Sequence, residues 1–357
     1  MTGQGTVYSF DGVDAYFQSR RAGLEAGLAD RLAQFIRATE RTLDCAIYDL
    51  RDQRILQALA DVAQSAGKTL RIAYDPGKER TGNAMVDPKP TGAAELIAQF
   101  GLDSVATAVR EGSSNLMHDK FLVRDGTALW MGSANFTQGG LELQDNNCLV
   151  FGHAPHLASQ YKAVFEDLIS SNHHHPTASE SEAANDTGTA VKVGHATITP
   201  YFEPAGGEAA ENAIVAALRG ARKVRILAFL ISDPGILEVL KQLNDSGADI
   251  AGVLDPGGMK DAMRGTHKDP ALFWFVDDPR FAHAPSHPFS PHHENDFMHN
   301  KVMIVDDRLV MTGSYNFSEN AEANDENMLQ IDSAEIAQAY TAYFDRLFAA
   351  YPHGGQG

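Results

Sequence analysis

The chain has 357 residues, 43% hydrophobic and 21% charged, with a formal net charge of −18. That composition suits a soluble globular protein of one large or two ordinary domains, and the acidic balance argues against a general polyanion-binding surface without excluding a local basic groove. No run of 18 apolar residues occurs, and MTGQGTVYSFDGVDAYF lacks a basic stretch followed by an apolar one. No transmembrane helix or secretory signal is therefore expected, and the location is expected to be cytoplasmic.

The first apolar pattern, Leu24, Leu28, Leu32, Phe35 and Ile36, has the three-and-four spacing of one helix face. A short apolar run around Cys45 then predicts a buried strand. A second helix follows and ends near Gly67, where glycine suits a helix C-terminus. The next strand closes on Asp75-Pro76-Gly77, a turn signal. A strand pair over 116–124 and 127–131 comes later, then a strand holding Cys148 and a last helix. Two cysteines in a chain of this length make no disulfide framework, and both read as small buried residues.

The same order then recurs. Leu50, Ile55, Leu56 and Leu59 fall on Ile231, Ile236, Leu237 and Leu240 at an offset of 181. Asp75-Pro76-Gly77 falls on Asp255-Pro256-Gly257 at 180, and FEDL (165–168) on FDRL (344–347) at 179. Ile214 and Leu218 open the second copy, a helix ends near Gly247, and a strand pair spans 297–305 and 308–312. Ordered matches at a nearly constant offset indicate two copies of one unit. Helices alternating with apolar strands predict a layered α/β fold. The first repeat is placed at 1–170 and the second at 196–357. Residues 171–195, polar and nearly free of large apolar side chains, read as a linker, with His173, His174 and His175 as solvated residues.

Both copies carry H-x-K-x4-D-x6-G-S-x-N without a gap. The first places His118, Lys120, Asp125, Gly132, Ser133 and Asn135; the second places His299, Lys301, Asp306, Gly313, Ser314 and Asn316. Six fixed positions arise by chance at a given site about once in 10^7 to 10^8. Their recurrence at the repeat offset removes coincidence. His and Lys two apart on a strand share a face, so each copy aims an imidazole and an ammonium at one point. The G-S-x-N turn offers backbone N–H groups, a hydroxyl and an amide as an anion cradle. Paired about a pseudo-two-fold axis, the copies would surround one tetrahedral phosphate with two His, two Lys and two Asn.

These motifs resemble the paired HKD motifs of the phospholipase D superfamily, over nearly the whole chain. The resemblance implies two tandem α/β/α units related by a pseudo-two-fold, with the active site at their interface. It implies metal-independent phosphodiester cleavage through a phosphohistidine, with no cofactor. One His attacks phosphorus, the other protonates the leaving oxygen, and Lys120, Lys301, Asn135 and Asn316 hold phosphate oxygens. Asp125 and Asp306 take a supporting role, as do Ser133 and Ser314. A carboxylate downstream of G-S-x-N often partners a catalytic His in this family. Here it is Glu326, opposite Asn146 of the first copy if one gap is allowed, or Asp145 without it. Pairing within each copy would set Glu326 behind His299 as the acid and Asn146 behind His118 as the nucleophile.

Which diester is cleaved is open on the motif alone. The stretch MHNKVMIVDDRLVMTGSYNFSENAEANDENMLQI resembles the nuclease-type branch, so DNA or RNA is the favoured substrate. A phospholipase D or phosphatidyl-transferring enzyme acting on phospholipid is the alternative, and a non-catalytic nucleic-acid- or lipid-binding module a third. The loops after the Asp-Pro-Gly turns, with Lys78, Arg80 and Lys89 and with Lys260, Arg264, His267 and Lys268, read either as a basic rim that binds substrate or as ordinary solvated loops. The segment 283–293 (HAPSHPFSPHH) matches no common zinc spacing and reads as a loop at the mouth of the site. One chain supplies both halves of the site, so a monomer suffices for catalysis.

Overall fold

The computed structural model describes residues 6–77, 93–109, 115–170, 188–204, 208–264, 269–287 and 295–354. In the first half, strands β1 (Val7–Phe10) and β2 (Val13–Gln18) form a hairpin. There follow α1 (Leu28–Arg37), β3 (Thr42–Ile47), α2 (Gln53–Ala63), β4 (Thr69–Tyr74), α3 (Ala93–Gln99) and β5 (Ala106–Ala108). Then come β6 (Lys120–Arg124), β7 (Ala128–Gly132), β8 (Asn146–Phe151) and α4 (Pro155–Ser170). The second half repeats the order. It runs β9 (Val191–Val193), β10 (Ala196–Glu203), α5 (Ala209–Leu218), β11 (Lys223–Ala228), α6 (Pro234–Asp245), β12 (Asp249–Leu254), α7 (Pro256–Arg264) and β13 (Phe281–His283). It closes with β14 (Lys301–Val305), β15 (Leu309–Gly313), α8 (Glu319–Glu322), β16 (Glu326–Asp332) and α9 (Ala334–Ala350).

The two eight-stranded sheets have orders β1-β2-β8-β7-β6-β3-β4-β5 and β13-β12-β11-β14-β15-β16-β10-β9, one arrangement read from opposite ends. In each, three strands run parallel (β3, β4, β5; β11, β12, β13) and the rest pair antiparallel. The chain is thus a mixed α/β protein of two tandem units, as the repeat implies.

Helix faces set the layers. Leu32, Ile36, Ile55 and Leu59 pack α1 and α2 on Cys45 and Trp130 at the outer face of the first sheet. Ile214, Leu218, Leu237 and Leu240 do the same on the second sheet. Between the sheets, α4 and α9 contribute Tyr161, Phe165, Tyr340, Tyr343 and Phe344 to one core shared by both halves. Burying each such side chain contributes about 1.5–3 kcal/mol. Asp52 caps α2 by accepting from the Arg54 and Ile55 amides, and Asp233 caps α6 by accepting from Ile236. Gly67 and Gly247 have φ of 80° and 81°, the left-handed region expected where the second helix of each copy ends.

Three details differ from the sequence reading. Leu24 precedes α1 and bridges to Ser19 instead of joining the helix. Residues 191–193, assigned there to the linker, form edge strand β9, because Val191 and Val193 pair with Ile198 and Ala196. Asp255-Pro256-Gly257 opens the helix α7 rather than a loop, since proline suits a first helical position. Among the described residues, no helix is long and apolar enough to cross a membrane.

Candidate active site

Each motif begins one step before a central strand. Lys120 and Lys301 are the first residues of β6 and β14, and His118 and His299 lie two residues ahead. The approach to each His is held across the halves. The His118 amide donates to the Asp325 carbonyl at 2.9 Å, and the His299 amide to the Asp145 carbonyl at 3.0 Å. Met117 bridges to Asp325 and Met298 to Asp145. The segment leading into β8 therefore pairs with the segment leading into β14, and that leading into β16 with that leading into β6.

This exchange overturns the pairing expected within each copy. His118 Nδ1 lies 2.8 and 2.9 Å from the Glu326 carboxylate oxygens, and His299 Nδ1 lies 3.1 Å from Asn146 Oδ1. Each His takes its partner from the other half. The one-gap matching of Asn146 to Glu326 describes the arrangement, whereas Asp145, the ungapped option, hydrogen-bonds Tyr351.

All four motif side chains are enclosed. The His residues are 6% exposed and the Lys residues 1%. Lys120 Nζ donates to the His118 carbonyl, and Lys301 Nζ to the His299 carbonyl at 2.7 Å. Each ammonium also faces an aromatic ring, Tyr48 at 4.9 Å and Phe229 at 5.7 Å. Burial, then Lys120 and Lys301, holds His118 well below the usual imidazole range. Burial, Lys301, Lys120 and His118 do the same to His299, which shows how closely the halves converge. Burial pulls Lys120 down to about 8 against Glu326 and Asp119, and keeps Lys301 well below an ordinary ammonium. Burial also pushes Glu326 up to about 8, against the pull of Lys120. Burial thus favours the neutral form of both members of the Glu326–His118 pair over separated charges.

The G-S-x-N turn differs in part from an anion cradle. The Ser133 and Ser314 amides donate to the Asn147 and Asn327 carbonyls, so they are used within the sheets. A Cβ on Gly132 or Gly313 would fall 2.3 or 2.2 Å from those carbonyls, which is why glycine stands there. Ser133 Oγ donates to Asn146 Oδ1 at 2.7 Å, and Ser314 bonds to Glu326. The serines thus position the His partners. Asn135 and Asn316 each retain a buried side-chain oxygen with no hydrogen-bond partner, and an amide can turn to present its NH2 instead. Asp125 and Asp306 accept from the amides at 40–42 and 222–223, tying the strand hairpins to the starts of β3 and β11.

Several positioning residues escaped the sequence reading. Asp75 accepts from the Met117 amide at 2.9 Å, and Asp255 accepts from that of Met298, each beside a motif His. Their signal was the repeated Asp-Pro-Gly, taken only as a turn. Asn327 donates to Asp119 and Asn147 to Asn300 across the halves. Position x of H-x-K carries these contacts, and a motif template ignores it. Of the candidate basic rim, Lys78, Arg80, Lys89, His267 and Lys268 lie outside the described residues. Lys260 and Arg264 lie on α7, where they line a pocket of about 300 Å³ with Leu254, Pro256, Met259 and Met263. In the 283–293 segment, His283 bonds to the Val276 carbonyl and His287 pairs with Asp296; its remainder from 288 lies outside the described residues.

A duplicated α/β unit that brings two H-x-K pairs to one interface defines the class. Both halves match the family described as "Cardiolipin synthase, PLD-like domain", over residues 32–169 and 214–348. The chain belongs to this phospholipase D-like family. It is 30% identical over 135 residues to mitochondrial cardiolipin hydrolase of Xenopus tropicalis, covering 38% of this chain and 58% of that protein. It is 49% identical over 43 residues to phospholipase D of Rickettsia bellii (strain RML369-C), 12% of this chain and 21% of that one. The chain thus spans less than two thirds of these curated relatives. The crystal structure of phosphatidylserine synthase from Haemophilus influenzae Rd KW20 superposes with a TM-score of 0.72 at 14% identity. It covers 98% of this chain and 88% of that one, a likeness of fold.

Proposed function

We propose that this protein is a metal-independent phosphodiesterase working through a phosphohistidine, with His118 as nucleophile and His299 as general acid. The crossed His partners carry the assignment, by the reverse of the rule expected from the sequence: the carboxylate serves the nucleophile and the amide serves the acid. An imidazole attacking phosphorus through Nε2 becomes cationic as the N–P bond forms. The Glu326 carboxylate at Nδ1 stabilises that charge, once Glu326 has released its proton. Asn146 fixes the orientation of His299 without adding charge; burial and the two lysines keep His299 neutral in the empty site, so it takes up its proton together with the anionic diester and passes it to the leaving oxygen. In the second step His299 takes a proton from the incoming water or alcohol. Lys120, Lys301, Asn135 and Asn316 bind the phosphate oxygens, and their fixed charge favours the five-coordinate state.

For the substrate we favour a phospholipid. The pocket beside Asp255 is mainly apolar, lined by Leu254, Pro256, Met259, Met263 and Val276, with Lys260 and Arg264 among its lining residues. Met263 is the one large apolar side chain well exposed among the described residues, at 44%. Such a surface suits an amphiphile, and the names of the relatives point the same way. Nucleic acid is the second reading, supported by the nuclease-like second motif. A parallel assay with single-stranded DNA, duplex DNA, RNA and phosphatidylcholine vesicles decides between them. Headgroup release without chain cleavage is expected, and the reverse pattern overturns the lipid reading. Hydrolysis of bis-p-nitrophenyl phosphate separates an enzyme from a binding module.

A further inference from the structure

Away from the catalytic constellation, the two halves differ at a second matched position. In the first half, Arg54 joins two carboxylates. Its guanidinium lies 2.8 Å from Asp52 Oδ2 and 2.7 Å from Glu142 Oε1. It thereby ties the start of α2 to the segment after the first G-S-x-N. An offset of 181 carries Asp52 onto Asp233 and Arg54 onto Gly235, and the one-gap offset of 180 that matches Asn146 to Glu326 carries Glu142 onto Glu322. Both carboxylates are kept, and the cation between them is gone.

A third carboxylate, Glu211, joins them; the offset of 181 matches it to Asp30, which lines a pocket with Arg54 in the first half. Carboxylate oxygens of Glu211, Asp233 and Glu322 all lie within 4.8 Å of one another. A Cβ on Gly235 would fall 1.9 Å from Glu211 Oε1, so Glu211 occupies the space in which an arginine stem would begin. Asp233 is 1% exposed. Its Oδ1 caps α6, while its Oδ2 is buried without a hydrogen-bond partner. The Tyr315 hydroxyl, on a side chain also 1% exposed, is likewise without a partner and within electrostatic reach of Asp233, Glu322, Glu203 and Glu211. The first half has Ala134 at that position. With no counter-charge, burial and Asp233 raise Glu211 to about 7 and Glu322 to about 8, so without an ion the cluster is held by protons shared with Asp233.

We propose that Glu211, Asp233 and Glu322 bind a hard divalent cation of the calcium or magnesium class, which replaces in the second half the guanidinium of Arg54 in the first. Carboxylate oxygens are the donors such ions prefer, and water completes the shell. The ion has a structural task. The Ser232 and Asp233 amides donate to the Phe317 carbonyl, directly after Asn316. Glu322 stands four residues before Glu326. Occupancy would fasten the segment that carries both to the start of α6, as Arg54 fastens its counterpart. The phosphodiester chemistry does not pass through this ion.

The test uses the full chain, stripped with EDTA and titrated with Ca2+, and separately with Mg2+, by calorimetry and thermal unfolding. One binding event and a rise in Tm are expected. Glu322→Gln should weaken binding at least ~10-fold, because one of three charged ligands is lost. Gly235→Arg combined with Glu211→Ala rebuilds the arrangement of the first half. Its Tm should no longer respond to the ion and should exceed that of metal-free wild type. This variant carries the test if Glu322→Gln fails to fold. Absence of heat and of any Tm shift in wild type at ~10 mM of either ion, beyond the weak end of carboxylate sites, overturns the proposal. So does an ion response that survives unchanged in the rebuilt variant.

Discussion

The two halves of the molecule share one motif and differ in what surrounds it. In both, H-x-K enters a central strand, glycine lets neighbouring backbones approach, and serine holds the partner of a His. Yet the second half supplies Glu326 where the first supplies Asn146, and each is delivered to the opposite His. Position x is Asp119 in one half and Asn300 in the other, and burial pushes Asp119 up to about 8. A duplicated unit can thus keep its reactive groups and divide their labour through neighbours. Under the proposed mechanism the partner, more than the His itself, separates a nucleophile from an acid.

The sharpest test of that division removes each His in turn. His118→Ala should lower kcat by about 10^4-fold or more, the scale seen when a covalent nucleophile is lost. It should also abolish a phosphoryl adduct trapped by acid quench. His299→Ala should still form the adduct from a substrate with a good leaving group. Mass spectrometry showing an adduct on His299 in the His118→Ala protein reverses the roles of the halves.

Lys120→Met and Lys301→Met should each cut kcat by at least ~10²-fold, the scale of one transition-state donor, with the fold retained. Steady-state kinetics with circular dichroism checks this. Normal kinetics for either would make the pseudo-symmetry of the phosphate clamp illusory.

Glu326→Gln probes the asymmetry directly. It should slow turnover by about 10-fold or more, because the charge on the phosphohistidine loses its counter-ion. The wild-type pair keeps its proton up to about 8, while His118 alone sits well below the usual range. The acid limb of kcat/KM should therefore move to lower pH by about one unit or more. Stability should move the other way. Folded Glu326 stays protonated to about 8 against an ordinary value of 4.5, so burying it destabilises the fold increasingly as pH rises between those values. Gln removes that cost, and Tm measured at pH 8 to 9 should rise. Asn146→Asp provides the converse. It should raise the pKa of His299 and leave adduct formation intact.

The smallest expected effect is that of chelation. EDTA should leave kcat nearly unchanged, because the lysines supply the positive charge that a metal would otherwise bring. Loss of turnover restored by a divalent ion, and seen equally in the Gly235→Arg, Glu211→Ala variant, would remove the metal-independent mechanism.

What the sequence determined by itself was the set of candidate reactive groups and the duplication that pairs them. Six fixed positions, written twice at the repeat offset, singled out His118, Lys120, His299 and Lys301. Apolar periodicity placed the helices and strands that carry them. Local pattern also reached the supporting Asp125 and Asp306, because they act on backbone near their own repeat. Only the tertiary structure decided which partner serves which His. His118 and Glu326 are 208 residues apart, and a partner within its own copy matched the pattern just as well. Strand periodicity reports which face a side chain takes, and it is blind to exchange across a pseudo-two-fold. The choice was made where the segments entering β8 and β16 pair with those entering β14 and β6, a contact set by the packing of two sheets around α4 and α9.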